Sequence, residues 1–383
     1  MLNATYITEQ TEKRLSFRNL CIVATALFLT VGCAAQGPSR VPADRFDYNA
    51  AIAQSTREQM LINIVRSRYL EVPVFMTVSS VLTQYEYNGS LGVAGTFGLS
   101  DNSGDTISGD ANLAYSERPT ITYLPVEGKE FSAHLLSPIP SQMMFASASA
   151  GWPVDHFMRI GLNRIGIAEN MSFGEIPTSE ITDWKKQFEE DFNKLKRFRR
   201  VIQLIFILAS QEIIEVQQAT EDDITERYLV IAEEVPQDLR PKLDELRQLI
   251  GLTNLNRFRI VDRVTNTEDD EISIQTRSVM AMMEFMARGV EVPPSHLKEG
   301  WVIDYGLQNS EGEVAEGLIP FRIHSSKNRP KNAFAAMQFQ DHWFYIDHSD
   351  ITSKRSLSLI IILFRLQAPS PAGAAPVLTL PTG

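Results

Sequence analysis

Cysteine is scarce in this chain of 383 residues, which has Cys21 and Cys33 and none after Cys33. The region after residue 33 therefore cannot form an internal disulfide, and a zinc site built from thiolates is excluded there. Long apolar runs are missing from the same region. A membrane-spanning helix needs about 20 apolar residues, and the apolar stretches at residues 201–209 and 357–364 are too short. Both are predicted to be buried helices.

Basic residues are also fewer than acidic residues. The chain has 36 Lys and Arg residues against 47 Asp and Glu residues, so its formal net charge is −11. Binding to nucleic acid relies on positive surface that neutralises phosphates, and this balance argues against such a partner. Hydrophobic residues make up 44% and charged residues 22%, which is ordinary for a folded globular protein. The length predicts two or three domains.

The N-terminal segment has the layout of a bacterial secretory signal, in which basic residues precede a short apolar run and a small residue. The basic residues are Lys13, Arg14 and Arg18. The apolar run covers residues 20–31, and Gly32 stands directly before Cys33. The sequence LTVGC at residues 29–33 resembles the lipobox of bacterial lipoproteins. This resemblance implies that residues 1–32 are a signal peptide and that Cys33 is acylated as the first mature residue. An ordinary cleaved signal and a membrane-anchored helix are the alternatives.

The residues after Cys33 bear on where such a lipoprotein is sorted. Residues 33–46 are small, polar and proline-bearing, and we predict that they form a tether between the lipid and the folded part. Ala34, rather than aspartate, follows the cysteine. By resemblance to enterobacterial lipoproteins, this favours the outer membrane, with the body of the protein facing the periplasm.

The pattern of the remaining chain predicts an α+β fold, because strands and helices are mixed without regular βαβ alternation. We predict a helix over residues 47–69, which begins the first region at residues 47–176. A middle α+β region should cover residues 177–300. The last region, residues 301–383, should contain a strand at residues 318–323, a β-hairpin about Gln340 and Asp341, a final helix and a flexible tail.

The most distinctive predicted element is a long β-hairpin at about residues 81–123. Its first strand alternates apolar residues at odd positions with polar or small residues at even positions, and its second strand alternates in the same way. One interpretation is an antiparallel sheet whose apolar face packs on a soluble core. The other is a hairpin that each subunit contributes to an oligomeric outer-membrane channel. In hairpin character alone, that resembles pore-forming lipoproteins such as the curli secretion channel.

No motif in the chain identifies a chemical activity. The densest group of possible metal ligands is His342, Asp347, His348 and Asp350. In an extended strand the two histidines would lie roughly 20 Å apart, which is too far for one ion. Ser295 and Lys298 match S-x-x-K, and residues 100–102 match S-D-N, but the two motifs occur in the wrong order and no K-T-G follows. We therefore predict no catalytic, cofactor or metal site, and Cys33 is the one candidate site residue.

These observations predict a Gram-negative envelope lipoprotein that faces the periplasm and binds or scaffolds other envelope proteins. The membrane is contacted through the lipid anchor. The alternative is the channel subunit, which requires a homo-oligomer because two strands cannot close a channel alone. A periplasmic hydrolase is a weaker alternative, and whether the protein is an enzyme is left open.

Overall fold

The computed structural model describes residues 36–82, 85–96, 106–143, 154–171, 184–221, 224–264, 268–305 and 319–367. The predicted signal peptide at residues 1–32, Cys33 and the predicted C-terminal tail lie outside these residues. The fold is α+β, as the sequence predicts, with helices that alternate irregularly with mostly antiparallel sheets. In the part of the chain that is described, no helix is both long and apolar enough to cross a membrane.

Helix α1 spans Gln36–Arg68, so it begins eleven residues before the predicted start at residue 47 and includes most of the predicted tether. The early part carries Pro42, and residues 42–50 are mainly exposed. An exposed helix has no apolar stripe, and for this reason the periodicity did not reveal it. The chain divides into two compact units within this helix, between Ser55 and Thr56. The larger unit begins at Thr56, and everything described below belongs to it.

A long antiparallel β-ribbon follows α1. Its strands are β1 (Met76–Leu82), β2 (Tyr85–Thr96), β3 (Thr106–Glu117) and β4 (Thr120–Pro125). β1 pairs with β4, and β2 pairs with β3. The long hairpin predicted at about residues 81–123 is therefore confirmed and extends a few residues further at both ends.

The central sheet has six strands in the order β6-β5-β10-β9-β8-β7. These are β5 (Leu162–Ile165), β6 (Ala168–Glu169), β7 (Ile214–Glu221), β8 (Ile224–Ile231), β9 (Arg257–Val261) and β10 (Glu271–Thr276). β9 and β10 are parallel, and the other neighbours are antiparallel.

The helices of this region are α2 (Lys129–Leu136), α3 (Val154–Gly161), α4 (Trp184–Ser210), α5 (Arg240–Ile250), α6 (Val279–Ala287) and α7 (Pro294–Lys298). The apolar core includes Leu204 and Leu208 from α4, Leu246 from α5 and Phe258 from β9. Helix α3 ends at Gly161 because the next residues form β5, where Ile165 pairs with Ile274 of β10.

The C-terminal part combines a three-stranded sheet, β11-β13-β12, with helix α8 (Ile351–Gln367). The strands are β11 (His324–Ser326), β12 (Ala333–Phe339) and β13 (His342–Asp347). The predicted hairpin is confirmed, with Gln340 and Asp341 in its turn at φ 46° and 60°, values that fit a two-residue hairpin turn.

The strand predicted at residues 318–323 is wrong. Ile319, Phe321 and Ile323 are buried, which accounts for the alternating pattern of the sequence. Among the described residues 319–323, Ile323 alone makes a bridge, to Val290, and the strand proper begins at His324. Alternating burial identified the inward positions, but it did not identify the backbone hydrogen bonds.

Candidate docking surface: the ribbon

We call the four strands β1 to β4 the ribbon. Its two paired segments share one register, since Leu82 pairs with Thr120 and Tyr85 pairs with Glu117 at the same offset. That offset holds from the pair Ser80 and Thr122 to the pair Thr96 and Thr106. Directly opposed residues of an antiparallel pair lie on the same face. The odd-numbered positions of all four strands therefore share one face over this length.

The odd positions form what we call the apolar face. Its register pairs include Tyr87 with Tyr115, Gly89 with Leu113, Leu91 with Ala111, and Gly95 with Ile107. Glu117 is the one charged residue among the odd positions of β2 and β3. A register shift between Val78 and Ser80 places Met76 and Val78 on this face too, beside Pro125 and Tyr123.

The even positions form the polar face. They pair Asn88 with Ala114, Ser90 with Asn112, and Ala94 with Ser108. Ser90 and Asn112 are exposed. Glu86 and Asp110 are charged residues at even positions of β2 and β3, respectively. The ribbon is thus amphipathic along both paired segments. The exceptions are Leu82 and Leu124, which are large apolar residues on the polar face.

The base of the ribbon exposes large apolar side chains to solvent. Tyr123 is 53% exposed, Met76 48% and Ile121 39%, and every residue of β4 is exposed. The exposure continues along the chain that enters the ribbon, where Val72 is 80% exposed and Val74 54%. No other helix or strand in the described part of the chain pairs with the ribbon or packs extensively on it. Contiguous exposed apolar surface of this kind marks an interaction site.

Two amide side chains of α1 hold the entrance to the ribbon. Asn63 donates from Nδ2 to the Val74 carbonyl at 2.7 Å, and its Oδ1 accepts from the Val74 N–H at 3.0 Å. Gln59 donates from Nε2 to the Met76 carbonyl at 3.1 Å, and its Oε1 accepts from the Met76 N–H at 2.7 Å. Residues four apart on a helix lie on one face, so these amides bind alternate backbone groups as a neighbouring strand would. They fix β1 to the rest of the unit that begins at Thr56, which we call the body.

Aromatic packing holds the backbone just before β1. Phe75 is buried, stacks on Phe364 of α8 at 4.4 Å between ring centroids, and meets Phe131 of α2 at 5.9 Å. The Val126 N–H donates to the Phe75 carbonyl at 2.9 Å, which closes the ribbon at its exit. The ribbon is therefore fixed to a well-packed base at its entrance and its exit.

The possible metal ligands of the C-terminal hairpin are not brought together. His342 lies against His296, with ring centroids 4.9 Å apart, whereas His348 lies against Phe334. Asp347 accepts hydrogen bonds from the Ser349 backbone and hydroxyl, and Asp350 accepts from the Ser353 N–H at the start of α8. Within the described residues, no three His, Cys, Asp or Glu side chains are arranged to hold a metal ion.

The structure joins several polar residues that sequence patterns did not connect. The Tyr69 hydroxyl lies 2.7 Å from His296 Nδ1, and the imidazole of His296 stacks on Trp301. Burial lowers the pKa of His296, and the neighbouring His342 lowers it further. Glu291, mostly buried, contacts Arg322 at 2.7 Å and His324 Nδ1 at 2.9 Å. These partners are far apart in sequence, so no local signal identifies them.

The other candidate residues stand apart from the ribbon or outside the described residues. Ser295 and Lys298 lie in the short helix α7, and Cys33 and the S-D-N at residues 100–102 are outside the part of the chain described. The chain matches no protein family model, and no curated protein and no solved structure is similar to it.

Proposed function

We propose that this protein is a lipid-anchored component of a Gram-negative envelope that binds or scaffolds other envelope components through the ribbon. In this proposal the lipid is attached to Cys33, and the body faces the periplasm from the outer membrane. The observation that carries the docking role is the common register of the ribbon, which collects the apolar positions of four strands on one face.

The exposure of the base supports the same role. Burying apolar surface is worth about 25 cal/mol per Å², so an uncovered apolar face favours association. The Phe75 cluster and the two amides of α1 fix the ribbon to the body. A partner bound to the ribbon is thereby connected mechanically to the body, as a scaffold requires.

The lipid anchor is tested by growth with labelled palmitate. The native protein should incorporate the label and fractionate with the outer membrane, whereas Cys33→Ser should do neither. Equal membrane fractionation of the two proteins without any label would contradict the anchor.

The ribbon is tested with polar substitutions at two neighbouring positions. Leu91 lies on the apolar face and Ser90 on the polar face. The native protein should run as a large complex in blue-native electrophoresis of the detergent extract. Leu91→Lys should abolish this complex, and Ser90→Gln, which adds no lysine to the edge of β2, should retain it. Both variants should still incorporate palmitate, which separates this test from that of the anchor. A complex of unchanged size with Leu91→Lys would contradict the docking role.

A second candidate is a subunit of an oligomeric outer-membrane channel that contributes the ribbon as its β-hairpin. Strands β2 and β3 have 12 residues each, and a strand that spans a bilayer needs about 9–11. The apolar face fits lipid, and the polar face, with Glu86 and Asp110, fits water. In a planar bilayer the purified oligomer should then conduct cations in preference to anions, and Asp110→Asn should weaken that preference. A monomer without conductance would exclude this candidate.

A further inference from the structure

The ribbon has two outer edges without a strand partner in the described part of the chain. β2 pairs with β3 alone and β1 with β4 alone. The backbone N–H and C=O groups along the outer sides of β2 and β3 therefore have no ladder partner there, whereas Met76 of β1 is bound by the Gln59 side chain. Such edges are templates for pairing with another strand.

The edges of β2 and β3 also lack the lysine and proline with which proteins often block edge pairing. Natural edge strands carry lysine, proline or inward-pointing charges. No Lys, Arg or Pro occurs anywhere from residue 76 to residue 117. Arg118 and Pro119 follow immediately, outside β3, at the junction with β4. The one charge on the apolar face of β2 and β3 is Glu117, the last residue of β3.

We propose that the ribbon pairs edge to edge with the ribbon of a second copy of this chain, the outer edge of β3 in one copy against the outer edge of β2 in the next. This inference rests on the proposed docking role of the ribbon and names its partner. Copies held by one membrane surface point their ribbons in the same direction. β2 and β3 run in opposite directions within each ribbon, so the β3–β2 contact between such copies is antiparallel.

The two edges suit each other in length and in chemistry. β2 and β3 have the same number of residues, and both place apolar residues at odd positions. When two such strands pair, apolar positions lie beside apolar positions and polar beside polar. The contact is head-to-tail, so each added copy presents a fresh edge to another. The product is a sheet of many copies with one apolar and one polar face.

The test uses the lack of cysteine after Cys33. Two full-length copies with different tags are co-expressed, one with Asn112→Cys in β3 and the other with a single cysteine at one position of β2. The β2 positions scanned are Glu86, Tyr87, Asn88, Gly89, Ser90, Leu91, Gly92, Val93 and Ala94. Each copy carries one introduced cysteine, so any disulfide that joins the two tags through them links two chains. Copies without introduced cysteines measure the background from Cys33.

The expected result is a disulfide between the two tags whose yield peaks at one even position of β2. Opposed residues on one face have Cβ atoms about 5 Å apart and diagonal neighbours about 7–8 Å, so this position should link at least about fivefold better than the odd positions beside it. A cysteine at Gln248, an exposed residue of α5, should give background yield with Asn112→Cys. Gel filtration and circular dichroism of each variant establish that the fold is retained.

Three outcomes would overturn the proposal. A uniform yield at even and odd positions would indicate contact without strand pairing. An efficient link between two copies that both carry Asn112→Cys would indicate β3–β3 pairing of opposed ribbons. Absence of any link between copies, while Leu91→Lys still abolishes the complex, would leave the docking role intact and exclude a second copy as the partner. If Leu91→Lys also has no effect, both proposals fail.

Discussion

Strand β4 of the ribbon and strand β10 of the central sheet contrast in a way that their sequences do not suggest. β4 reads TITYLP, has no charged residue and is exposed throughout. β10 reads EISIQT, begins with a carboxylate and is buried at five of its six residues. The more apolar strand is therefore the exposed one. Burial in this molecule follows from the neighbours of each strand rather than from its composition.

The neighbours of β10 explain how it accommodates a carboxylate. β10 lies between β5 and β9, and the side chain of Glu271 accepts hydrogen bonds from Arg259 and Arg263. A buried charge is tolerated when it is paired and hydrogen-bonded. Among the described residues β4 has one strand neighbour, β1, and every residue of β4 is exposed. The contrast supports the proposal that the ribbon is covered by a partner outside the chain.

The largest expected effect comes from removing the outer part of the ribbon. Residues 86–116 are replaced by Asn-Gly, which can close a two-residue turn because Tyr85 and Glu117 are directly paired. We expect the complex to disappear from blue-native electrophoresis. The body should unfold at an unchanged denaturant midpoint, because distant sites contribute independently to stability. A body that no longer folds would show that β2 and β3 belong to its core and would remove the contrast with β10.

The next effect should come from the buried carboxylate of β10. Glu271→Gln leaves Arg259 and Arg263 without their shared anion, and we expect a loss of about 2–3 kcal/mol in the free energy of unfolding. Glu226→Gln is the matched control, because Glu226 also contacts Arg259 but is substantially exposed. It should change the urea midpoint little. Equal losses in the free energy of unfolding for the two variants would mean that burial does not make Glu271 contribute more to stability than Glu226.

The sequence predicted most of these elements because their patterns are local. Alternation along each strand identified the hairpin, and apolar runs identified buried parts of α4 and α8. Alternation also assigned the odd positions of β2 and of β3 to an apolar face. It could not say which residue of β2 is paired with which residue of β3, because that depends on the register between the strands. The pairing of Tyr87 with Tyr115 supplies this information.

The errors and omissions have a common physical source in contacts between distant residues. Leu162–Ile165 continues a helical pattern, but pairing with β10 makes it a strand. Residues 42–50 of α1 include no buried residue that a pattern could reveal. Gln59 and Asn63 are ordinary polar residues of a helix until the backbone of Val74 and Met76 lies against them. No property of residues 59 or 63 alone indicates that contact.

A smaller effect should come from the amides that fix the ribbon to α1. Asn63→Ala leaves the N–H and C=O of Val74 without partners at a partly buried position, which should cost about 1–3 kcal/mol in the free energy of unfolding. Gln59→Ala removes the same kind of contacts where Met76 is exposed to water, and its cost should be smaller. Hydrogen exchange should accelerate at Val74 in the first variant and at Met76 in the second. Unchanged exchange in both variants would show that the Phe75 cluster alone fixes the ribbon.

The smallest effect concerns the pH dependence of the stability of the body. The body contains the buried imidazole of His296, and the base of the ribbon contains no imidazole. The pKa of His296 is lowered in the folded state, chiefly by burial and then by His342, against the opposing charges of Glu299 and Asp341. The unfolded chain therefore binds the proton first. Stability should decrease as the pH falls below the ordinary histidine pKa of 6.5, by at most about 1.4 kcal/mol per pH unit for one proton.

The hydrogen bond between Tyr69 and His296 gives this prediction its structural reason. Burial raises the pKa of the Tyr69 hydroxyl, so it stays protonated and can donate to Nδ1 only while the imidazole is neutral. Urea unfolding at pH 7 and pH 5 measures the slope, which should be smaller in His296→Gln whatever the absolute stability of that variant. His134→Gln, at an exposed position of α2, should keep the native slope. If His296→Gln also keeps the native slope, the pH dependence of stability arises from other groups. The buried imidazole then does not distinguish the body from the ribbon.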